Sequence, residues 1–392
     1  MSILFSFTGL LLVYVLGWLI SFNRRGIKYR PILTMLVVQV ALAFILLNTK
    51  IGISLISAIS RGFERLMSIG VSGVDFVFGG LENKGISTFF LDVLLPIVFI
   101  SVLIGILNYY RILPLIIKYV GLGLNKINGM GKLENYIAVS SAILGQSEVF
   151  LTTKNQIGSV SERRLYTLCT SAMSAVSIAI VGAYMTMIEP RFVVTAIVIN
   201  IFSALIVANI INPYDLENEE DLAIEHERES NLFENISESV MDGFKVAIIV
   251  AAMLIGYIGL IQLINALFLT VFTISFQTVL GYIFAPIAML MGVPWSEAIQ
   301  AGSIMATKLV TNEFVAMLDF KKIAGQFSPR TAGIVSVFLV SFANFSSIGI
   351  ITGAVKALHE KQGDVVAKFG LKLLYGSTLA SILSATIAEL FI

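Results

Sequence analysis

Uninterrupted apolar runs of about 20 residues recur along this chain, and they constrain its fold more than any other feature. Of its 392 residues, 57% are hydrophobic and 13% are charged. Soluble globular chains carry about 25% charged residues. Continuous runs predict membrane-spanning helices, because a transmembrane β-barrel would show alternating segments of about 10 residues. The sequence therefore predicts an all-α polytopic membrane protein, and its net charge of +1 gives no reason to expect nucleic acid as a partner.

The charged segments between the apolar runs predict the topology. The first run, residues 4–22, is followed at once by a basic cluster of Arg24, Arg25, Lys28 and Arg30. By the positive-inside rule this loop is cytoplasmic, so the N-terminus is expected outside. Residues 49–82 predict an amphipathic interfacial helix, and the run 244–274 is long enough to require a steep tilt. The last run, 369–392, is expected to exit, which places both termini outside.

Two carboxylates lie inside apolar segments, where burial is costly. Glu148 ends the motif GQSE at 145–148, and Glu313 belongs to the motif TNEF at 311–314. A charged side chain at the bilayer centre costs about 3 kcal/mol even on lenient insertion scales. Each glutamate has amide and hydroxyl neighbours. The two motifs therefore predict a polar binding site at membrane depth.

The two halves of the chain resemble each other in organisation. Each half has a broken hairpin with a glutamate, a helix capped by serine, an interrupted span rich in Ser or Asn, and a final span. Glu148 precedes the capping Ser161 by 13 residues, and Glu313 precedes the capping Ser328 by 15. The topology makes the first hairpin enter from the cytoplasm and the second from outside. Such inverted repeats are typical of secondary transporters with a site at the midplane, although a shared membrane composition is an alternative source of the similarity.

The polar groups near these motifs indicate what the site binds. Gln146 and Asn344 offer amide donors and acceptors, and nearby serines offer hydroxyls. No arginine lies in the motifs, so an anionic substrate is not expected. Phe342 offers a flat apolar surface, as do Phe345 and Phe314, for which core packing is the favoured interpretation. These features predict a neutral, polar, partly aromatic solute.

Other classes of function fit the sequence less well. An enzyme would need a nucleophile or metal cluster, whereas the chain has two histidines, His226 and His359, in polar connectors and one cysteine, Cys169, in an apolar run. No cofactor and no metal site are expected. A channel would be built from a symmetric ring or filter. Inverted broken hairpins favour alternating access instead.

The chain resembles the concentrative nucleoside transporter family, in its bacterial NupC-like branch, over essentially its whole length. Four motifs carry this resemblance: GQSE at 145–148, GAY at 182–184, TNEF at 311–314 and FANFSSIG at 342–349. The resemblance implies a homotrimer in the bacterial plasma membrane, with eight transmembrane helices and two oppositely oriented re-entrant hairpins in each protomer. It also implies a scaffold domain and a transport domain that moves as an elevator.

The same resemblance implies a division of the chain into five parts. The scaffold would contain the N-terminal spans with the interfacial helix, and a long tilted trimer-contact helix. The transport domain would contain the two hairpin repeats, and an acidic cytoplasmic linker would join the halves. In chain order these are N-terminal spans 1–110, first repeat 111–212, linker 213–231, tilted helix 232–275 and second repeat 276–392.

The family's binding residues transfer to this chain by motif. The resemblance implies that Gln146, Ser147 and Glu148 contact the nucleobase and that Ile180 and Phe342 line its pocket. It implies that the ribose hydroxyls are held by Glu313, Asn344 and Ser347. Import of pyrimidine nucleosides such as uridine is expected, with adenosine as a further candidate. The alternative is another neutral solute, such as a nucleobase.

One departure from the family pattern concerns the coupling ion. Sodium-coupled members have Asn four residues before the hairpin glycine and Ser or Thr in the interrupted span, where this chain has Ser141 and Ala175. Because ligand oxygens are lost, proton coupling is predicted, with sodium-coupled symport as the alternative. The spans hold no histidine, so Glu148 and Glu313 are the candidate proton carriers, since burial disfavours a charged carboxylate.

Overall fold

The computed structural model describes residues 2–78, 89–216 and 231–392, with side chains from residue 7 onward. Every regular element in these ranges is a helix, which confirms the all-α prediction. Three helices precede the first gap: α1 (Ser2–Leu19), α2 (Tyr29–Asn48) and α3 (Lys50–Phe78).

Helix α3 is amphipathic, as predicted for residues 49–82. Its buried face includes Ile56 and Met67, whereas Arg61 and Glu64 are exposed. The last four residues of the predicted segment lie outside the described residues. After the gap, a π-helical turn (Phe90–Leu94) leads into α4 (Ile97–Tyr109) and α5 (Ile112–Asn128).

The first repeat consists of a short hairpin, a broken helix and a full span. The hairpin comprises α6 (Lys132–Leu144), α7 (Glu148–Leu151) and α8 (Lys154–Ile157). Next come α9 (Glu162–Ser174), α10 (Ile178–Met185) and α11 (Pro190–Ile211). Ser161 caps α9 as predicted, since its side chain accepts a hydrogen bond from the Arg164 backbone N–H at 3.4 Å.

A single helix of 41 residues, α12 (Leu232–Phe272), joins the halves. This helix contains nearly all of the apolar run 244–274 and also the twelve residues that precede the run. At 1.5 Å per residue it is about 60 Å long, roughly twice the hydrocarbon thickness. Most of the acidic linker before α12 lies outside the described residues. The following helix, α13 (Phe276–Leu290), was not distinguished from its surroundings by any sequence pattern.

The second repeat has the same order of parts as the first. Its hairpin comprises α14 (Trp295–Val310) and α15 (Glu313–Ile323), and α13 meets α14 at a bend of 116°. A broken helix follows, α16 (Pro329–Leu339) with α17 (Phe345–Leu358), and then α18 (Glu360–Glu389). Ser328 caps α16 by accepting from the Thr331 backbone N–H at 3.3 Å, with proline at the first helical position as predicted.

Six helical stretches in the described ranges are long and apolar enough to cross a membrane: Tyr29–Asn48, Phe90–Tyr109, Glu162–Met185, Pro190–Ile211, Leu232–Phe272 and Glu360–Glu389. The other two of the eight predicted spans correspond to α1 and to the broken pair α16–α17, whose described helices are apolar but shorter. The spans of both repeats are mostly buried inside the chain, whereas α12 is mostly exposed. The core therefore lies within the repeats.

Equivalent glutamates connect each hairpin to the helix that follows it. Glu134, the third residue of α6, accepts from Arg164 Nε at 2.6 Å and from its Nη2 at 3.0 Å. Glu297, the third residue of α14, accepts from the Ser328 backbone N–H at 3.1 Å and from its hydroxyl at 3.0 Å. Both contacts join the first hairpin helix to the start of the broken span. They extend the similarity of the two halves beyond the motifs visible in the sequence.

Candidate functional site at the hairpin tips

A cavity of about 420 Å³ lies where the two hairpin tips meet the two helix breaks. Helices α4 and α12 close its opposite wall. The eight side chains predicted to bind substrate all line this one cavity: Gln146, Ser147, Glu148, Ile180, Glu313, Phe342, Asn344 and Ser347. Residues that are up to 201 positions apart in the chain are therefore brought together.

Glu313 is the most fully enclosed carboxylate of the cavity, with 4% of its surface exposed. Its Oε1 accepts from the Tyr184 hydroxyl at 2.9 Å, and its Oε2 accepts from Asn344 Nδ2 at 3.0 Å. It is the first residue of α15, where the helix dipole favours negative charge. Asn312 caps the same helix by accepting from the Val315 backbone N–H at 2.9 Å. The carboxylate is thus held from two sides before any ligand enters.

Asn344 connects this carboxylate to the second helix break. Its Oδ1 accepts from the Ser347 backbone N–H at 3.0 Å, which caps α17, and from the Ser346 hydroxyl at 2.6 Å. The buried Ser347 hydroxyl has no hydrogen-bond partner among the described residues. A buried polar atom without a partner is costly unless a ligand or water satisfies it. Ser347 therefore presents a free hydroxyl beside Asn344 and Glu313.

The first hairpin turns through backbone that only glycine adopts readily. Gly145 has φ +112° and ψ 177°, and a Cβ there would lie 2.9 Å from Glu148 Oε2. The buried Oε1 of Gln146 also lacks a partner within the described part of the chain. Glu148 is exposed to the cavity, in contrast to the buried Glu313. Burial therefore acts more strongly on the carboxylate of Glu313 than on that of Glu148.

Replacing this glycine (Gly145→Ala) is expected to reduce uptake by the chain about tenfold, because the required backbone conformation costs an alanine about 1–3 kcal/mol. Gly353→Ala is the matched control, since Gly353 lies within α17 and a Cβ added there would have nothing within 4 Å. Uptake of radiolabelled substrate, normalised to the amount of protein in the membrane, measures both. Equal activity of the two variants would contradict the role given to the turn.

Several polar residues of the cavity were not predicted from the sequence. Tyr184, which does not line the cavity itself but donates to Glu313, was identified only as part of the GAY motif. Asn108 on α4, and Ser239 and Asp242 on α12, line the wall opposite the hairpins. An acidic residue directly before a long apolar run was the available signal for Asp242. The polar face of α4 gave no comparable signal, because a single asparagine near the end of a span is common.

The two positions expected to have lost sodium ligands, Ser141 and Ala175, lie at or near the first helix break. The buried Ser141 hydroxyl has one proton to donate and two carbonyl acceptors within reach, that of Ala138 at 3.2 Å and that of Ser171 at 3.4 Å. The Ala175 carbonyl accepts from the Phe342 backbone N–H at 3.1 Å. This last bond joins the first helix break directly to the second. The side chain of Ala175 has no oxygen. Its backbone carbonyl already accepts a hydrogen bond from Phe342.

Comparison with known proteins covers the whole chain. Residues 8–81 and 192–389 match the models of the N-terminus and C-terminus of the Na+ dependent nucleoside transporter family, and residues 90–191 match the "nucleoside recognition" gate model. The chain is 34% identical to the purine nucleoside transport protein NupG of Bacillus subtilis, covering 100% of both. It is 31% identical to the nucleoside permease NupC of Helicobacter pylori, covering 100% of this chain and 98% of that protein.

Solved structures give the same result. CNTnw in an inward-facing, substrate-bound state superposes with a TM-score of 0.95 at 31% identity, covering 100% of this chain and 99% of that one. The arrangement of hairpins and broken helices is therefore that of a nucleoside carrier and not of an enzyme. The chain is a membrane protein that belongs to the concentrative nucleoside transporter family.

Proposed function

We propose that this nucleoside transporter is a proton-coupled symporter that imports pyrimidine nucleosides such as uridine, with adenosine as a second substrate. The observation that carries the substrate assignment is the set formed by Glu313, Asn344 and Ser347. A carboxylate, an amide and a free hydroxyl there line one cavity, which suits the vicinal hydroxyls of a ribose. A nucleobase alone would leave the buried Ser347 hydroxyl without a partner among the described residues.

The nucleobase is assigned to the other end of the cavity. Gln146 offers an unpaired amide oxygen there, and Glu148 a carboxylate that is open to the cavity. Ser147 lies between them, and Ile180 and Phe342 supply apolar surface against which a planar base can pack. Paired donors and acceptors of this kind can match the edge of a base by hydrogen bonding.

The assignment of the coupling ion rests on Ser141 and Ala175. A sodium ion needs several converging oxygens, whereas Ser141 offers a hydroxyl that reaches less far than an asparagine side chain, and Ala175 offers only a methyl group. The proton carrier is proposed to be a carboxylate of the cavity, Glu148 or Glu313. Uptake of labelled uridine into cells or proteoliposomes is expected to respond to an inward proton gradient and not to sodium. Strict sodium dependence without a response to the pH gradient would refute proton coupling.

Restoring the missing ligand oxygens is a second test of the assigned coupling ion. The double variant Ser141→Asn with Ala175→Ser is expected to make uridine uptake respond to sodium, by about tenfold when sodium is present at ten times its dissociation constant. Each single substitution is expected to have a smaller effect, because a cation site needs several ligands. Titration of uptake against sodium at fixed pH measures the response. A double variant that transports uridine but ignores sodium would contradict the proposed site.

The transport mechanism is proposed to be an elevator in a homotrimer of the bacterial plasma membrane, with both termini outside. The division into a scaffold of 1–110 and 232–275 and a transport domain of 111–212 and 276–392 is part of this proposal. The exposed surface of α12 supports it, because a helix largely unburied within its own chain is available for contacts between protomers. The cavity also lies between the hairpins and α12, where two such domains would meet.

A further inference from the structure

A fully buried lysine lies in the interior of the second repeat. Lys308, in the last turn of α14, is 1% exposed. Its Nζ donates to the Phe338 carbonyl at 2.7 Å, to the Ser341 hydroxyl at 2.6 Å and to the Ser381 hydroxyl at 3.3 Å. An ammonium group has three N–H donors, so each has an acceptor. A cation at this depth is expensive, and lysines kept there usually serve a function.

The break between α16 and α17 explains why an ammonium fits at this position. In a continuous helix the Phe338 carbonyl would accept from the N–H of residue 342, four positions later. The Phe342 N–H donates instead to the Ala175 carbonyl, at 3.1 Å. Lys308 supplies the donor that the break removed.

A second carbonyl of this break is satisfied in the same way. Asn200 Nδ2 on α11 donates to the Val340 carbonyl at 2.5 Å. The unwound backbone is therefore held by side chains from two other helices. In transporters, unwound carbonyls and the negative ends of half-helices are also the groups that coordinate transported cations.

Within the described residues the Lys308 ammonium has no direct ion pair, and its charge is balanced by neighbouring dipoles and by the more distant carboxylate of Glu313. Its three hydrogen-bond acceptors are all neutral, and its Nζ lies 4.5 Å from the centre of the Phe338 ring. The C-terminal end of α16 adds the negative pole of a helix dipole. Lys308 does not line the cavity, so it acts on the site through the break that carries Asn344.

We propose that the Lys308 ammonium is a resident cation of the second break. It occupies a place among unwound carbonyls of the kind a transported cation would take, and it holds the 340–344 segment so that Asn344 meets Glu313. Lys308 is thus a positioning residue for ribose recognition. The inference rests on the proposed function, because its readout is the recognition of ribose hydroxyls.

The test compares uridine with 3′-deoxyuridine as ligands of the purified full-length chain, by isothermal titration calorimetry. Lys308→Met keeps an unbranched side chain that is one atom shorter, and it removes the charge and the donors. We expect this variant to bind uridine about tenfold more weakly than wild type does, because the substitution weakens the hydrogen bonds to the ribose hydroxyls. We expect it to bind 3′-deoxyuridine with almost the wild-type affinity. Lys308→Arg, which retains charge and donors, is expected to keep most of the discrimination.

Lys322→Met is the matched control. Lys322 lies on the same hairpin and is 72% exposed, with its ammonium 2.9 Å from Asp319, so its loss is expected to leave both affinities unchanged. A folded Lys308→Met chain that binds both ligands as wild type does would overturn the inference. Equal weakening of both ligands would also overturn it, because general damage does not distinguish a ribose hydroxyl.

A milder variant keeps the inference testable where Lys308→Met does not fold. Ser341→Ala removes one acceptor of the ammonium, and we expect about a threefold loss that is confined to uridine. Unchanged discrimination in this variant would refute the positioning role. A wild-type chain that binds neither nucleoside would instead refute the proposed substrate, which separates the two failures.

Discussion

Replacing Glu313 with glutamine (Glu313→Gln) is expected to reduce nucleoside uptake about 100-fold. Hydrogen bonds to a charged group contribute about 1.5–3 kcal/mol each, and the loss of two to the ribose amounts to two factors of ten or more. Tyr184 and Asn344 each donate to one oxygen of the Glu313 carboxylate. The glutamine side chain has only one oxygen, so its NH2 group faces one of these two donors. Initial rates of uridine uptake over a range of concentrations measure the effect.

Tyr184→Phe serves as the comparison for this variant. It removes one donor and leaves the carboxylate charge, so a loss of about tenfold is expected. The ring of Tyr184 keeps its edge-on contact with Phe314, whose centroid is 5.1 Å away. If the Glu313→Gln variant takes up and binds uridine as wild type does, the ribose is bound elsewhere.

Replacing Arg164 with methionine (Arg164→Met) is expected to lower the melting temperature of the purified chain by about 5 °C. Breaking a buried ion pair costs about 3–5 kcal/mol, since one charge remains buried without its partner. Glu134 would be that charge, because its side chain is 0% exposed and Arg164 donates to both of its oxygens. Thermal unfolding in detergent, followed by size-exclusion chromatography, measures the shift.

Two further variants separate this effect from a general loss of charge. The double variant Glu134→Gln with Arg164→Met is expected to recover part of the stability, because no uncompensated carboxylate remains. Lys356→Met breaks an exposed pair with Asp364, which is worth at most about 1 kcal/mol. If Arg164→Met melts no lower than Lys356→Met, the buried pair does not hold the first hairpin to α9.

The comparison of sequence with structure is clearest at the hairpin tips. Glu148 and Glu313 stand out in the sequence, because a carboxylate in an apolar run is costly wherever the chain folds. Their surroundings differ in a way that local sequence does not reveal. Glu313 is enclosed by Tyr184 and Asn344, whereas Glu148 opens to the cavity. Enclosure depends on neighbours that lie 129 and 31 residues away in the chain.

Lys308 shows the opposite case. Its charge was as visible in the sequence as that of Glu313, yet its position near the end of a helix, close to other polar residues, did not distinguish it from an interfacial lysine. Only the packing of α14 against the second break places its ammonium on the Phe338 carbonyl. The contact between the two breaks, from the Phe342 N–H to the Ala175 carbonyl, was equally invisible, because backbone groups carry no sequence signal.

The sequence by itself determined the membrane class, the capped helix starts and the two costly carboxylates, since hydrophobic length, capping serines and buried charge are local properties. Its resemblance to a known family indicated the eight spans, the two hairpins and eight of the residues that line the cavity. The tertiary structure alone decided which groups satisfy one another. It showed that a backbone hydrogen bond joins the two breaks and that a lysine replaces a missing helical donor. These facts depend on contacts between distant segments, which only packing establishes.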